Sequence, residues 1–228
     1  MKNNLGKGKI MKKFFNLDSP FMVFLSNLVD VIILNIICLI CCIPIVTIGP
    51  SITAMHFVAL KMAKNENVYT VKTFFRAFKD NFKQSFIIWI SFLVITIVCI
   101  LDFKMLQTMG MSENKIFGII IGTIYLFVCL TAMYTFPIMS RFENTLSHTV
   151  KNAFFMCILN FGKTIVMAVV YIVPFVLLPL GINMIAAFLM LGLSGPVYIN
   201  SYIWKSIFKK YEPEEEGGED FLESDINQ

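Results

Sequence analysis

Apolar and polar positions along the 228-residue chain fall into long blocks and do not alternate. Residues 31–60, 84–101 and 116–140 carry no charge at all. Such blocks approach or exceed the roughly 20 residues that an α-helix needs to cross ~30 Å of hydrocarbon. The strands of a membrane β-barrel would alternate with a period of two, and nothing here does. The pattern predicts an all-α, polytopic transmembrane helical bundle with clear spans at about 21–46, 84–102, 116–140, 164–181 and 184–204. Asp18 or Ser19 as N-cap, with Pro20 at the first helical position, marks the start of the first span.

A sixth segment follows from a turn signal. In Ile48-Gly49-Pro50-Ser51, Gly permits unusual backbone angles and Pro ends the preceding helix. Beyond it Ile52, Met55, Ala59, Met62 and Ala63 recur at helical spacing. The segment 51–64 would be about 21 Å long, either a short span with Lys61 and Lys64 snorkelling at its end or a re-entrant helix. Gly195-Pro196 is a second turn or hinge signal, and Pro137, Pro174 and Pro179 can kink their helices, which membrane bundles tolerate.

Charge then orients the chain. Five lysines precede the first span and six basic residues follow it before residue 84. A single crossing would expose one group on the outer face, against the positive-inside rule. With the sixth segment, 17 of the 19 basic residues lie on one side and only Lys104 and Lys115 on the other. Both termini are therefore expected in the cytoplasm of a bacterial inner-membrane protein. Five spans with the N-terminus outside is the alternative.

Composition excludes a soluble enzyme. Hydrophobic residues make up 57% of the chain and charged ones 15%, against the usual quarter in soluble domains, and mean hydropathy is +0.74. The net charge of +4 conceals an asymmetry, because eight of the fifteen acids lie in the last 17 residues and the remainder carries +12. Such a balance beside apolar segments suits anionic lipid headgroups and not nucleic acid. Three regions result: a basic N-terminus (1–13), a helical membrane domain (14–210) and an acidic tail (211–228) too poor in apolar residues to fold.

Between the second and third segments, residues 70–83 form a basic amphipathic pattern. At 100° per residue Lys72, Arg76, Lys79 and Lys83 share one face, and Val71, Phe74, Phe75, Phe78 and Phe82 another. This predicts a helix lying in the membrane interface, acting either as a surface connector or as a docking helix for a cytoplasmic partner. At an offset of 79 residues, Val71-Lys72, Phe75 and Asn81-Phe82 match Val150-Lys151, Phe154 and Asn160-Phe161. Two related halves, 21–102 and 116–204, would follow, as in some transporters.

Candidate chemistry is sparse. Asp30 would lie up to ~15 Å into the first span, where an ionisable residue is costly and marks a functional hypothesis. With Asn27 and Asn35 it forms the candidate intramembrane polar site, either a hydrogen-bonded structural carboxyl or a proton or ligand group. Cys38-Leu39-Ile40-Cys41-Cys42 lies mid-span with no companion histidine, so its cysteines read as small packing residues. All six cysteines lie in or beside apolar runs, which makes a disulfide framework unexpected. His56 and His148 stand alone, with no zinc or phosphate motif; no catalytic residue, metal or cofactor is assigned. Gly118 and Gly122 form a G-x-x-x-G pair expected to allow close helix contact inside the bundle. Trp89, Trp204 and Tyr202 are expected interfacial anchors.

The stretch from Phe14-Phe15-Asn16-Leu17-Asp18-Ser19-Pro20-Phe21 through Asp30, the run Cys42-Ile43-Pro44-Ile45-Val46-Thr47-Ile48-Gly49-Pro50-Ser51, and Asn81-Phe82-Lys83-Gln84 resemble the YesL family of bacterial membrane proteins. The resemblance covers roughly residues 12–210. It implies an accessory role in carbohydrate uptake or sensing, with an ABC sugar transporter or a sensor kinase as partner, and supplies no ligand residues. The sequence also leaves open an autonomous small-solute transporter or channel and a membrane-organising protein without substrate. It sets no oligomeric state.

Overall fold

Each apolar block becomes one helix or a broken pair of helices in a computed structural model, which describes residues 20–66, 68–108 and 115–211. The N-terminal lysines, the Asp18 or Ser19 cap and the tail from residue 212 lie outside the described residues. In chain order the helices are α1 (Pro20–Cys41), α2 (Ile48–Ala63), α3 (Thr70–Asp80), α4 (Phe82–Thr108), α5 (Lys115–Arg141), α6 (Leu146–Leu159), α7 (Phe161–Leu177), α8 (Ile182–Leu191) and α9 (Ser194–Phe208). Short 3-10 turns at Ile45–Thr47 and Leu178–Leu180 extend α2 and α7. Five helical stretches are long and apolar enough to cross a membrane, and six if the bent pair α8–α9 counts as one. The chain is an all-α, multi-pass membrane protein.

The segment that looked too short is the centre of the bundle. With its 3-10 turn, α2 runs from Ile45 to Ala63, and 19 residues at 1.5 Å rise give about 28 Å, enough to span. Twelve of the sixteen residues of α2 are buried, and α1, α3, α4, α5 and α9 all pack against it. Gly49, Ser51, Thr53, Ala54, Ala59 and Ala63 explain this placement, since small side chains let neighbouring backbones approach closely.

The turn itself lies earlier than Gly49-Pro50. α1 ends at Cys41, and the Thr47 hydroxyl closes the reversal by donating to the carbonyls of Cys41 (2.6 Å) and Pro44 (2.8 Å). Gly49 and Pro50 are buried in the first turn of α2, where a proline fits because the N–H it lacks would have no helical acceptor. The same correction applies to Gly195-Pro196. They occupy the first turn of α9, and the 48° break between α8 and α9 falls at Gly192–Leu193. Where α7 gives way to α8, Gly181 adopts φ 137°, open to glycine and strained for other residues.

The amphipathic segment is also shorter than 70–83. Asn81 breaks the chain, so Phe82 and Lys83 belong to α4. α6, a helix that periodicity alone did not delimit, stands before α7 as α3 stands before α4, but without the division of faces seen in α3: Phe154, Phe155, Ile158 and Leu159 are exposed alongside Lys151. At each junction an asparagine bonds the carbonyl four residues back: Asn81 to Ala77 and Asn160 to Met156, both at 3.0 Å. The matches at an offset of 79 therefore mark equivalent joints between a short helix and a span. The order of the other helices does not repeat, because α2 precedes α3 whereas α8 and α9 follow α7.

Two expectations about side chains change. Trp204 is fully buried with Tyr134 edge-on at 4.6 Å, so it is a core residue and not an interfacial anchor. Gly118 and Gly122 would meet nothing within 4 Å if given a Cβ. They border an open groove between α4 and α5 and make no close contact inside the bundle.

Candidate functional site

The three polar residues singled out on α1 do different work. Asn35 is fully buried and repairs the break between α8 and α9. A continuous helix would pair the Leu193 N–H with the Leu189 carbonyl. Here the Asn35 amide sits between them: its Nδ2 donates to Leu189 O at 2.8 Å and Phe188 O at 3.3 Å, while its Oδ1 accepts from the N–H groups of Leu193 and Ser194 at 2.9 Å each. The Ser194 hydroxyl adds a bond to Val31 O at 2.7 Å. Backbone groups without a partner are costly inside a bilayer; one asparagine partners Leu189 O and the N–H groups of Leu193 and Ser194, and adds a second bond to Phe188 O, which already accepts from Gly192 N–H.

Asp30 is half-buried and accepts a hydrogen bond from the Thr70 hydroxyl at 2.8 Å. Thr70 opens α3, and Asp30 borders an open groove with Asn65 and Glu66 of the α2–α3 connection. The carboxyl is thus level with the end of α2, where polar groups gather, and it ties the surface helix to α1. Thr70→Val is expected to cost about 1 kcal/mol and to loosen α3 from α1. Asp30→Asn, which keeps an acceptor oxygen, should cost less than half as much. Thermal unfolding in detergent and hydrogen exchange of the α3 amides measure both. Asn27 makes a long contact, 3.5 Å, to the Tyr198 hydroxyl.

α3 divides its faces between protein and surroundings. Phe74 and Ala77 are buried against the core that α2 helps to form, whereas Val71 and Phe75 are exposed. Lys72, Arg76 and Lys79 are exposed on the other side, with Lys83 exposed at the start of α4. Arg76 meets Asp80 at 3.7 Å in an exposed pair, which contributes little.

A further site combines residues that sequence reasoning passed over. A cavity of about 570 Å³ lies between α2, α5, α7 and the α8–α9 break. Its lining is apolar apart from His56 and Tyr171, whose rings meet edge-on with centroids 6.4 Å apart. His56 Nδ1, Tyr171 OH, Asn200 Oδ1 and Trp204 Nε1 are all buried without a hydrogen-bond partner. The last three face one another across α7 and α9 and are chemically complementary: a phenol can donate to an amide oxygen and accept from an indole N–H. His56 Nδ1 has no such complement. The available signal was that His56 is the single imidazole within the charge-free block 31–60; Tyr171, whose ring it meets, lies more than a hundred residues away.

Cys38 and Cys42 have sulfurs 3.9 Å apart, one helical turn from each other at the end of α1. Among the described residues no group of three His, Cys, Asp or Glu side chains could hold a metal ion.

A family model described as "Protein of unknown function, DUF624" matches residues 31–103. That segment runs from Val31 on α1 through most of α4, and so contains Asn35, Gly49, His56 and Thr70 but none of α7 or α9. No curated protein and no solved structure matches the chain.

Proposed function

We propose that this membrane protein is a non-catalytic accessory of a carbohydrate transport or sensing system, in keeping with its resemblance to the YesL family. It would lie in the bacterial cytoplasmic membrane with both termini inside and dock on its partner through α3. The observation that carries this reading is the seating of α3. Phe74 and Ala77 seat it on the bundle, so Lys72, Arg76 and Lys79 are held facing outward on a fixed element. A helix that merely linked two spans would not need to be anchored from below by Phe74 and from its first residue by Asp30.

The second reading, autonomous transport, draws on the broken pair α8–α9, since transporters bind substrates at half-helix ends. In this chain Asn35 already occupies two N–H groups at the N-terminus of α9, and the adjoining cavity has no charged lining residue. A hydrated sugar or ion has nothing there to replace its water.

Purification from native membranes in mild detergent is expected to recover a carbohydrate ABC permease or a sensor kinase in stoichiometric amount. The triple reversal Lys72→Glu, Arg76→Glu, Lys79→Glu should abolish recovery at physiological salt while the inserted amount is unchanged. Recovery undiminished by the reversal, or solute flux through liposomes holding this chain alone, would overturn the proposal.

Orientation has its own test. Ser51 is fully buried and makes a poor reporter, whereas Ile43 in the reversal after α1 is 77% exposed and Tyr69 before α3 is 82% exposed. In a cysteine-free background, Ile43→Cys should react with an impermeant maleimide on intact cells and Tyr69→Cys only after permeabilisation. The opposite result would invert the topology.

A further inference from the structure

Where α2, α5 and α9 end, Lys61, Lys64, Arg141 and Lys205 line one shallow hollow, with Glu66 as the single carboxylate among its lining residues. Part of this charge serves the fold. Lys61 meets Glu66 at 3.2 Å, and Lys205 donates to Ala63 O at 3.2 Å in the last turn of α2, a place that favours cations. Each ammonium carries three donors, so neither contact exhausts its lysine. Four cations against one carboxylate leave a surplus of three positive charges, and like charges held so close repel one another. Lys61 and Lys64 are half-buried, whereas Arg141 and Lys205 are exposed, so the hollow is open to an anion from outside.

The chain carries such an anion a few residues further on. Phe208 lines the hollow, and the Tyr211 N–H donates back to Phe208 O at 2.8 Å, which holds the end of α9 beside it. Residues 212–228, outside the described residues, contain eight acids and no base. Glu214, Glu215 and Glu216 come three to five residues after Tyr211, a reach of about 10–17 Å along extended chain. We propose that the acidic tail docks on this hollow, with Glu214, Glu215 and Glu216 set against Lys61, Lys64, Arg141 and Lys205. A single exposed ion pair contributes little. Several made together by a tethered segment gain from a local concentration in roughly the millimolar range. The tail thereby closes the hollow to other anions, phosphate-bearing lipid headgroups above all. No base of α3 takes part, so the proposal does not depend on docking through α3.

The test uses the full chain in nanodiscs of phosphatidylcholine, a lipid without net charge. A zero-length carbodiimide joins lysine to carboxylate only where the two touch. Peptide mapping is expected to find Glu214, Glu215 or Glu216 joined to Lys61, Lys64 or Lys205 within single chains. Salt at ~1 M, where the screening length falls to about 3 Å, should remove most of these joints. Acetylation by a water-soluble reagent gives a second readout. In the variant Glu214→Gln, Glu215→Gln, Glu216→Gln the three lysines of the hollow should react at least about threefold faster, as the loss of a few exposed pairs acting together allows. Lys72 and Lys79 on α3 should keep their rates. The substitutions lie beyond α9, so the comparison does not hang on folding of the bundle. Joints that fall on α3 or only between chains, or equal rates in parent and variant, would overturn the proposal. So would protection that appears only when phosphatidylglycerol is added, in parent and variant alike, since a lipid headgroup would then be the occupant.

Discussion

Asn35→Leu is expected to destabilise the folded bundle more than a change at any other polar position on α1. Leucine has the branching and heavy-atom count of asparagine and is the bulkier of the two, so the loss is one of hydrogen bonds and not of volume. Four bonds disappear together, from Phe188, Leu189, Leu193 and Ser194. At the ~0.6–1 kcal/mol measured for hydrogen bonds within membranes, their removal costs about 2–4 kcal/mol. Asn35→Asp should be at least as damaging, because it keeps the acceptor for α9 but replaces the donor to α8 with a buried charge. Ser194→Ala, which removes one bond to Val31, should cost under about 1 kcal/mol. Reversible unfolding in mixed micelles ranks the three, and amide exchange at Leu193 and Ser194 shows whether the break itself has opened. A leucine variant as stable as the parent would mean that the half-helices hold their angle without the asparagine.

This loss reaches the cavity. Gly192, Leu193, Pro196 and Val197, on either side of the break, form one of its walls. If the α8–α9 angle relaxes toward a straight helix, that wall moves relative to His56 on α2.

The fold was legible wherever a single chemical signal dominated. Charge-free blocks marked the spans, and the distribution of 19 basic residues required a return crossing after α1. The Phe and Lys periodicity marked α3, though it ran two residues past the joint because Phe82 and Lys83 continue the same pattern into α4. What the pattern could not convey was which helix stands inside. α2 was judged by length and charge, whereas its small residues were the better guide, since they decide how closely other backbones can approach. The polar sites were hidden for a related reason. Asn35 and Asp30 are alike as polar interruptions of an apolar run, but one faces a broken helix more than 150 residues away and the other a threonine 40 residues away. Such pairings belong to the tertiary arrangement and leave no local trace.

Glycine shows most directly how position outweighs motif. Gly49→Ala is expected to cost about 3 kcal/mol, at the upper end of the range for overpacked sites. The added Cβ would lie 2.5 Å from the Trp89 Cβ and 2.7 Å from the Ser85 carbonyl oxygen. Neither atom can yield by a side-chain rotation, because one is fixed to the α4 backbone and the other is part of it. α2 and α4 must separate instead. Separation strains the Ser85–Thr53 hydroxyl pair at 2.9 Å and the bond from Trp89 Nε1 to Ile45 O at 2.7 Å. Gly118→Ala and Gly122→Ala, in the G-x-x-x-G pair that looked like the packing motif, meet open space. They should be neutral or stabilising by up to about 1 kcal/mol through the helix preference of alanine. Unfolding midpoints of the three variants, with Trp89 fluorescence as a probe of the α2–α4 contact, decide the matter. If Gly49→Ala leaves both the midpoint and the Trp89 emission unchanged, α2 and α4 are not in the close contact that makes α2 the central helix of the bundle.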